Sequence, residues 1–187
     1  MMRTVRKKVW DPFVRIFHWS LALGFSLNAF LIDGENHLHR WLGYLVAALV
    51  LSRILWGFVG TGYARFESFR PSIRDSLEQM RDILVGGKTV HFGHTPLGAM
   101  MIYNLLLAIL VICLSGHLMT TDMFWGEEWP EALHEAAVIW AEISMSIHIA
   151  AVIFESFRTR VNLPAAMLNG YKTLPADCAD MEGRDDN

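Results

Sequence analysis

The stretch LHEAAVIWAEISMSIHIAAVIFESF, residues 133–157, decides the fold of this 187-residue chain. Its 25 mainly apolar residues are enough to cross the hydrocarbon of a bilayer as one helix. His134 and His148 lie fourteen residues apart in it. Nearly four helical turns separate them, so both rings point to one side of the helix, roughly 21 Å apart along its axis. This spacing predicts two histidine sites at different depths of a membrane.

The composition also favours a membrane protein. Hydrophobic residues make up 53% of the chain and charged residues 19%, against about 25% charged in an ordinary soluble domain. Four stretches of spanning length are nearly free of charge, at residues 13–32, 41–59, 97–119 and 133–157. We therefore expect an all-α transmembrane four-helix bundle, one integral membrane domain over residues 1–187 that ends in a polar tail at 173–187. The first span is too long for the apolar core of a cleaved signal peptide.

The distribution of Lys and Arg predicts the orientation. Of the sixteen, five lie at or before the start of the first span, five between the second and third, and four after the fourth. The connection at residues 120–132 is acidic instead, with Asp122, Glu127, Glu128 and Glu131. Because basic residues remain on the cytoplasmic side, both termini are predicted to be cytoplasmic.

A short amphipathic helix is predicted between the second and third spans. Pro71 is suited to open it, and Gly86 with Gly87 to close it. Ile73, Leu77, Met80 and Leu84 share one face of this helix. Two roles fit, a connector packed against the bundle or a helix lying on the cytoplasmic membrane surface.

Depth sorts the histidines into pairs. With the N-terminus inside, His18 and His148 lie in the inner half, and His39 and His134 lie at the outer mouth. Each pair joins the fourth span to another helix, which is the arrangement needed to clamp a haem inside a bundle. Two axial imidazoles leave no open position on the iron, so electron transfer is the expected function. His37 is an alternative to His39 as ligand.

Cysteine usage restricts the kind of haem. The two cysteines, Cys113 and Cys178, are far apart, and no CxxCH motif is present. Covalent c-type haem and iron–sulfur centres are therefore excluded. The prediction is two non-covalent b haems, with His18 and His148 on the inner iron and His39 and His134 on the outer iron.

Further polar residues are candidates for supporting roles. Arg53 stands fourteen residues after His39, so it faces the same side at the inner haem's level, where it would pair with a propionate or extend to the surface. Arg15 and Arg40 are further propionate candidates, each near a proposed ligand. His94 is placed to serve the inner haem or a quinone, and His117 to hydrogen-bond near the outer haem or to contact a propionate of that haem. Glu142 is either a proton relay or a protonated acid bonded to Asn28, Asn104 or Ser144, and His91 is expected to be solvated.

Several motifs resemble one family, the bacterial cytochrome b561 and Ni,Fe-hydrogenase b-type cytochromes. The resemblance runs from about residue 9 to residue 172. It rests on VWDPFVRIFHW at 9–19, HRWLGYLVAALVLSRILWGFVG at 39–60 with YARF at 63–66, GHTPLG at 93–98 and NLPAAMLNGYK at 162–172. Thr95 stands where the family commonly has Asn. His117 lies where the family usually has small and apolar residues.

The resemblance implies a di-haem cytochrome that transfers electrons between a membrane quinone and a periplasmic redox protein. The quinone would be ubiquinone or menaquinone. The redox protein would be a c-type cytochrome or a hydrogenase-like enzyme. Two alternatives are a superoxide:quinone oxidoreductase acting at the outer face and a membrane anchor whose haems are mainly structural. Membrane lipid and further copies of the chain are other candidate partners, and no nucleic acid is expected.

Overall fold

The computed structural model describes residues 4–87 and 93–175. This part of the chain is mostly helical, with six helices and a pair of short strands. The helices are α1 (Pro12–Phe30), α2 (His37–Val59), α3 (Ile73–Leu84), α4 (Pro96–Leu118), α5 (Trp129–Thr159) and α6 (Leu163–Asn169), and the strands are β1 (Thr4–Lys8) and β2 (Tyr171–Pro175). Arg3, Lys88, His91, Cys178, Arg184 and the rest of the tail, all used in the sequence predictions, lie outside the described residues.

Polar side chains fix where the long helices begin. Asp11 caps α1, its Oδ1 accepting from the Val14 amide at 2.8 Å, and Pro12 occupies the first helical position. Thr95 and Pro96 do the same for α4, where the Thr95 hydroxyl oxygen accepts from the Gly98 amide at 3.0 Å. A proline at that position has no amide to leave unpaired, and the cap satisfies an amide that the helix itself cannot.

Three described helices, α2, α4 and α5, are long and apolar enough to cross a membrane. The sequence predicts four such spans, and α1 is the one that falls short. It is 19 residues long, but Arg15, His18 and Asn28 lower its mean hydropathy. Length and composition therefore support a multi-pass membrane protein with three candidate spans.

The bundle is built from two closely packed helix pairs, α1 with α2 and α4 with α5, and α2 also packs on α4. Residues from all four helices form its buried centre: Phe25, Val46, Val50, Ala108, Ile109 and Ala141. Large apolar side chains cover the outside as well, among them Leu23, Leu55 and Ile143. A soluble monomer rarely exposes such extensive apolar surface, so this surface is suited to contact lipid.

Helix α3 lies in the connection where the sequence predicts a short helix. Ser72 caps it, accepting from the Asp75 amide at 3.2 Å. The helix packs against α4, and the Gln79 side-chain oxygen accepts from the Leu97 amide at 2.9 Å. Ile73, Leu77, Met80 and Leu84, which the sequence places on one face, are all exposed, whereas Ile83 is half-buried.

Strands β1 and β2 form an antiparallel ribbon that the sequence does not predict. Thr4 pairs with Pro175 and Lys8 with Tyr171, and the Arg6 guanidinium lies 4.3 Å from the centre of the Tyr171 ring. The ribbon places the two ends of the described chain on the same side of the bundle.

Candidate cofactor sites between paired histidines

The four histidines singled out in the sequence face each other in two pairs. His18 on α1 and His148 on α5 have ring centres 6.4 Å apart, with ring planes inclined by 57°. His39 on α2 and His134 on α5 have ring centres 6.3 Å apart, inclined by 61°. Neither α1 nor α2 packs closely along α5 in the described residues. Each pair therefore faces across the space between the two closely packed helix pairs.

The separation within each pair fits a metal ion held between the two rings. Two metal–nitrogen bonds of about 2 Å, plus about 1.1 Å from each nitrogen to its ring centre, give about 6.2 Å in a linear arrangement. Among residues 4–87 and 93–175, no three His, Cys, Asp or Glu side chains form a metal-binding group. A haem needs none, because the porphyrin supplies four ligands and the protein supplies only the axial ones.

The ring of His134 is held by the helix beside it. Its Nδ1 lies 3.0 Å from the Ile112 carbonyl oxygen and 3.2 Å from the Ser115 hydroxyl oxygen. Since a carbonyl only accepts, Nδ1 carries the proton and donates to Ile112. In the neutral imidazole Nε2 is then the nitrogen without a proton, which is the state required of a metal ligand.

Gly116 allows this close approach of α4 to His134. A Cβ at position 116 would lie 3.1 Å from His134 Cε1 and 3.3 Å from its Nδ1.

The rings of His18 and His39 lack the hydrogen bond that holds His134. The Nδ1 atom of each is buried with no hydrogen-bond partner in the described part of the chain. Both rings therefore have an unsatisfied polar atom inside the bundle.

Arg53 is buried in the bundle, with only 3% of its surface exposed. It lies on the same face of α2 as the core residues Val46, Val50 and Gly57. Its Nη1 atom is buried without a hydrogen-bond partner among the described residues, and its guanidinium lies 5.1 Å from the centre of the Phe66 ring. A buried guanidinium with an unused N–H fits an anionic group such as a haem propionate.

The other two arginines named from the sequence lie elsewhere. Arg15 donates to the Leu168 carbonyl and so joins α1 to the end of α6. Arg40 is exposed, with Nη2 3.3 Å from Nδ1 of His37, which is itself exposed. His37 thus interacts with Arg40, whereas the ring of His39 faces His134.

His94 lies in an aromatic cluster below the start of α4. Its ring centre is 4.6 Å from that of Trp10 and 4.2 Å from that of Phe69, and its Nδ1 is buried without a partner in the described residues. Burial, together with the positive charges of Lys172 and Arg53, lowers the pKa of His94 to about 3. The imidazole is therefore neutral at physiological pH. The sequence does not predict this cluster, because loop geometry brings its members together.

His117, at the end of α4, contacts Tyr44 of α2. Its Nδ1 is 3.3 Å from the Tyr44 hydroxyl, which is also 3.5 Å from the Thr120 hydroxyl.

Asn28, Asn104 and Ser144, considered in the sequence as partners for Glu142, form hydrogen bonds with other residues. Asn104 donates to Ser144 at 2.8 Å and accepts from Trp140 at 2.9 Å, and Asn28 donates to the His39 carbonyl at 3.1 Å.

Long apolar helices with paired inward-facing histidines define the class of membrane-bound b-type cytochromes. The model of the prokaryotic cytochrome b561 family matches residues 9–170, and the chain belongs to that family. The resemblance seen in the sequence motifs is thereby confirmed. Members of this family bind b-type haem and transfer electrons in the membrane. No curated protein and no solved structure matches the chain.

Proposed function

We propose that this protein is a di-haem cytochrome b that transfers electrons between the quinone pool and a periplasmic redox protein. The observation that carries the proposal is the presence of two facing histidine pairs, with ring centres 6.4 and 6.3 Å apart, at two levels of one bundle. A haem with two axial imidazoles gains and loses single electrons without an open coordination position. Such a centre is suited to electron transfer rather than to oxygen binding.

Each residue has a defined role in this proposal. His18 and His148 hold the inner haem, and His39 and His134 hold the outer haem. The bond from His134 to the Ile112 carbonyl fixes its ring and exposes Nε2 to the metal. Arg53 offers its unpaired N–H to a propionate of the inner haem. Arg15 and Arg40 remain weaker propionate candidates, given their contacts with Leu168 and His37.

The paired chain ends support four membrane crossings. Because β1 pairs with β2, the chain enters and leaves the bundle on one side, which requires an even number of crossings. The three apolar helices alone would place the strands on opposite sides. A crossing by α1 makes the number four. Its 19 residues span about 28 Å, which is close to the hydrocarbon thickness of about 30 Å.

The charge distribution supports an inner-membrane protein with both termini in the cytoplasm. The β1–β2 ribbon and the loop between α2 and α3 carry Arg and Lys residues, whereas the connection before α5 is acidic. In this orientation α3 lies at the cytoplasmic surface, and its exposed Ile73, Leu77 and Leu84 are suited to enter the lipid interface.

The surroundings of His94 are the best candidate for the quinone site. The neutral ring between Trp10 and Phe69 has an unpaired Nδ1, which is suited to hydrogen-bond a quinone oxygen. Ubiquinone and menaquinone both have a planar quinone head group that such rings accommodate. The site lies near the inner end of the bundle, where we place the inner haem.

The outer surface is suited to a basic redox partner. Asp122, Glu127 and Glu128 are exposed in the connection between α4 and α5, and Glu131 is exposed in the first turn of α5. Exposed carboxylates steer an oppositely charged protein mainly by raising its association rate, and salt screens this attraction.

Electron exchange of the purified holoprotein tests the function. We expect a quinol to reduce both haems in detergent or nanodiscs, and a basic c-type cytochrome to reoxidise them at a rate that falls as salt is added. Rapid reduction by superoxide with no partner protein would favour the oxidoreductase alternative instead. Failure of every quinol to exchange electrons would favour the structural anchor.

A further inference from the structure

A surface groove of about 330 Å³ lies between the end of α2, the loop that follows it and the first half of α4. Its walls include Phe58 at the end of α2, Arg65, Phe66 and Arg70 from the loop, and Tyr103 of α4. None of these residues belongs to the histidine pairs or to the His94 cluster described above. The groove is therefore distinct from those sites.

The polar wall of the groove has an excess of positive charge. Glu67 pairs with Arg65 at 2.9 Å and with Arg70 at 3.8 Å, so two guanidinium groups share one carboxylate. Both arginine side chains are largely accessible, with 48% and 77% of their surface exposed. Tyr103 adds a phenolic hydroxyl to the lining of the same groove. These donors are suited to bind an anion with several acceptor oxygens, such as a phosphate group.

The inner wall of the groove is aromatic and closely packed. The Phe66 ring lies 5.5 Å from the Tyr103 ring and 5.6 Å from the Phe58 ring, measured between centres. Phe66 reaches this place because position 57 is a glycine, where a Cβ would lie 2.2 Å from Phe66 Cε2. The wall presents apolar surface immediately beside the arginines.

Two apolar stripes lead from the groove along the bundle. On α2, Leu51, Leu55 and Phe58 follow helical spacing and are 55%, 67% and 68% exposed. On α4, Leu107 and Leu114 continue the face that begins at Tyr103 and are 62% and 56% exposed. A free anion makes no favourable contact with such stripes, whereas the acyl chains of a lipid lie along surfaces of this kind.

We propose that this groove binds an anionic phospholipid of the cytoplasmic leaflet. The phosphate contacts Arg65, Arg70 and the Tyr103 hydroxyl, and the acyl chains follow the two stripes into the membrane. Basic pockets beside membrane-spanning helices on the cytoplasmic side select anionic head groups. The assignment rests on the proposed orientation of the chain in the membrane and not on its haem ligands.

Native mass spectrometry of the holoprotein tests this site. The protein is released from mixed micelles that contain equal amounts of phosphatidylglycerol and phosphatidylcholine, and the bound lipid is counted. We expect phosphatidylglycerol to be retained preferentially. The variant Arg65→Gln/Arg70→Gln should weaken its binding about fivefold per arginine, and Tyr103→Phe should weaken it further.

A matched variant and a competing anion make the result decisive. Arg74→Gln/Arg81→Gln removes two exposed arginines of α3 and should leave lipid retention unchanged, with the haem absorbance spectrum of each variant reporting folding. Equal retention of the two lipids, or an equal loss in the α3 variant, would overturn the proposal. Displacement of phosphatidylglycerol by inorganic phosphate would also overturn it, since the groove would then bind a free anion.

Discussion

At the residue scale, the two histidine pairs differ in the support given to their rings. His134 is fixed through Nδ1 by the Ile112 carbonyl and by Ser115, whereas the buried Nδ1 atoms of His18 and His39 lack such a bond in the described residues. A ligand whose ring orientation is fixed by a hydrogen bond binds metal more strongly. The contact between His134 and α4 is therefore expected to fix the orientation of this ligand, and a substitution in α4 can test it.

We expect Gly116→Ala to disturb the outer haem and to leave the inner haem unchanged. The new Cβ would lie 3.1 Å from His134 Cε1, so the ring must shift away from the geometry that faces His39. Low-temperature absorbance and redox titration of the two haems would measure the change. Gly34→Ala is the control, because a Cβ there has no neighbour within 4 Å. Identical spectra for Gly116→Ala and the parent protein would show that this contact does not position the ligand.

Arg53→Leu should lower the midpoint potential of the inner haem. A positive charge near a haem stabilises the electron-rich reduced form, and at 3% exposure this guanidinium is little screened by water. Arg53→Lys should preserve part of the effect. A potentiometric titration measures both haems, with Arg74→Leu on the exposed face of α3 as the control. If the potential of Arg53→Leu equals that of the control, Arg53 does not act on the inner haem.

The four paired histidines and Arg53 could be selected from the sequence because helical periodicity fixes positions within one helix, and the order of the spans fixes the depth of each residue. Fourteen residues separate His134 from His148, and likewise His39 from Arg53, and regular helices preserve such spacing. The contacts of Arg15 with Leu168 and of His94 with Trp10 depend on loops and chain ends. No local pattern encodes where those segments lie, so these contacts appear only in the structure.

At the element scale, Asp11 joins two helices. Its Oδ1 caps α1, and its Oδ2 accepts from Nε1 of Trp56 on α2 at 3.2 Å. One side chain therefore fixes both the start of the first helix and its position beside the second.

Asp11→Ala should lower the free energy of unfolding by about 2 kcal/mol, since it removes a helix cap and leaves the Trp56 N–H without its acceptor. Asp11→Asn keeps an acceptor oxygen for the cap and should cost less. The loss of haem absorbance on heating measures the effect. Ser72→Ala removes the exposed cap of α3 and serves as a comparison. A smaller loss for Asp11→Ala than for Ser72→Ala would contradict this role.

The four long helices were predicted because each needs only a run of apolar residues and a capping or proline signal. The ribbon was not predicted, since β1 and β2 are five residues each and polar. Their pairing joins segments more than 160 residues apart. Such non-local pairing leaves no periodic signal in either segment alone.

At the scale of the whole molecule, the paired chain ends lead to a prediction about topology. We expect Glu35→Cys, in the connection between α1 and α2, to react with an impermeant maleimide in spheroplasts. Val5→Cys, at the exposed Val5 of β1, should react only after the membrane is opened, because α1 is the one helix between residues 5 and 35 and its crossing places the two positions on opposite sides. The background is Cys113→Ser/Cys178→Ser. If both positions react in intact spheroplasts, or neither does, α1 does not cross the membrane.

The central claim is that each histidine pair holds one haem, and the haem content of single-ligand variants tests it most directly. We expect two non-covalent b haems per chain, both six-coordinate and low-spin. His18→Ala and His148→Ala should each lose the same one of the two, and His39→Ala and His134→Ala should each lose the other. His37→Ala should retain both, because that exposed ring bonds to Arg40. Retention of both haems in His39→Ala, or loss of the same haem from variants of different pairs, would contradict the account.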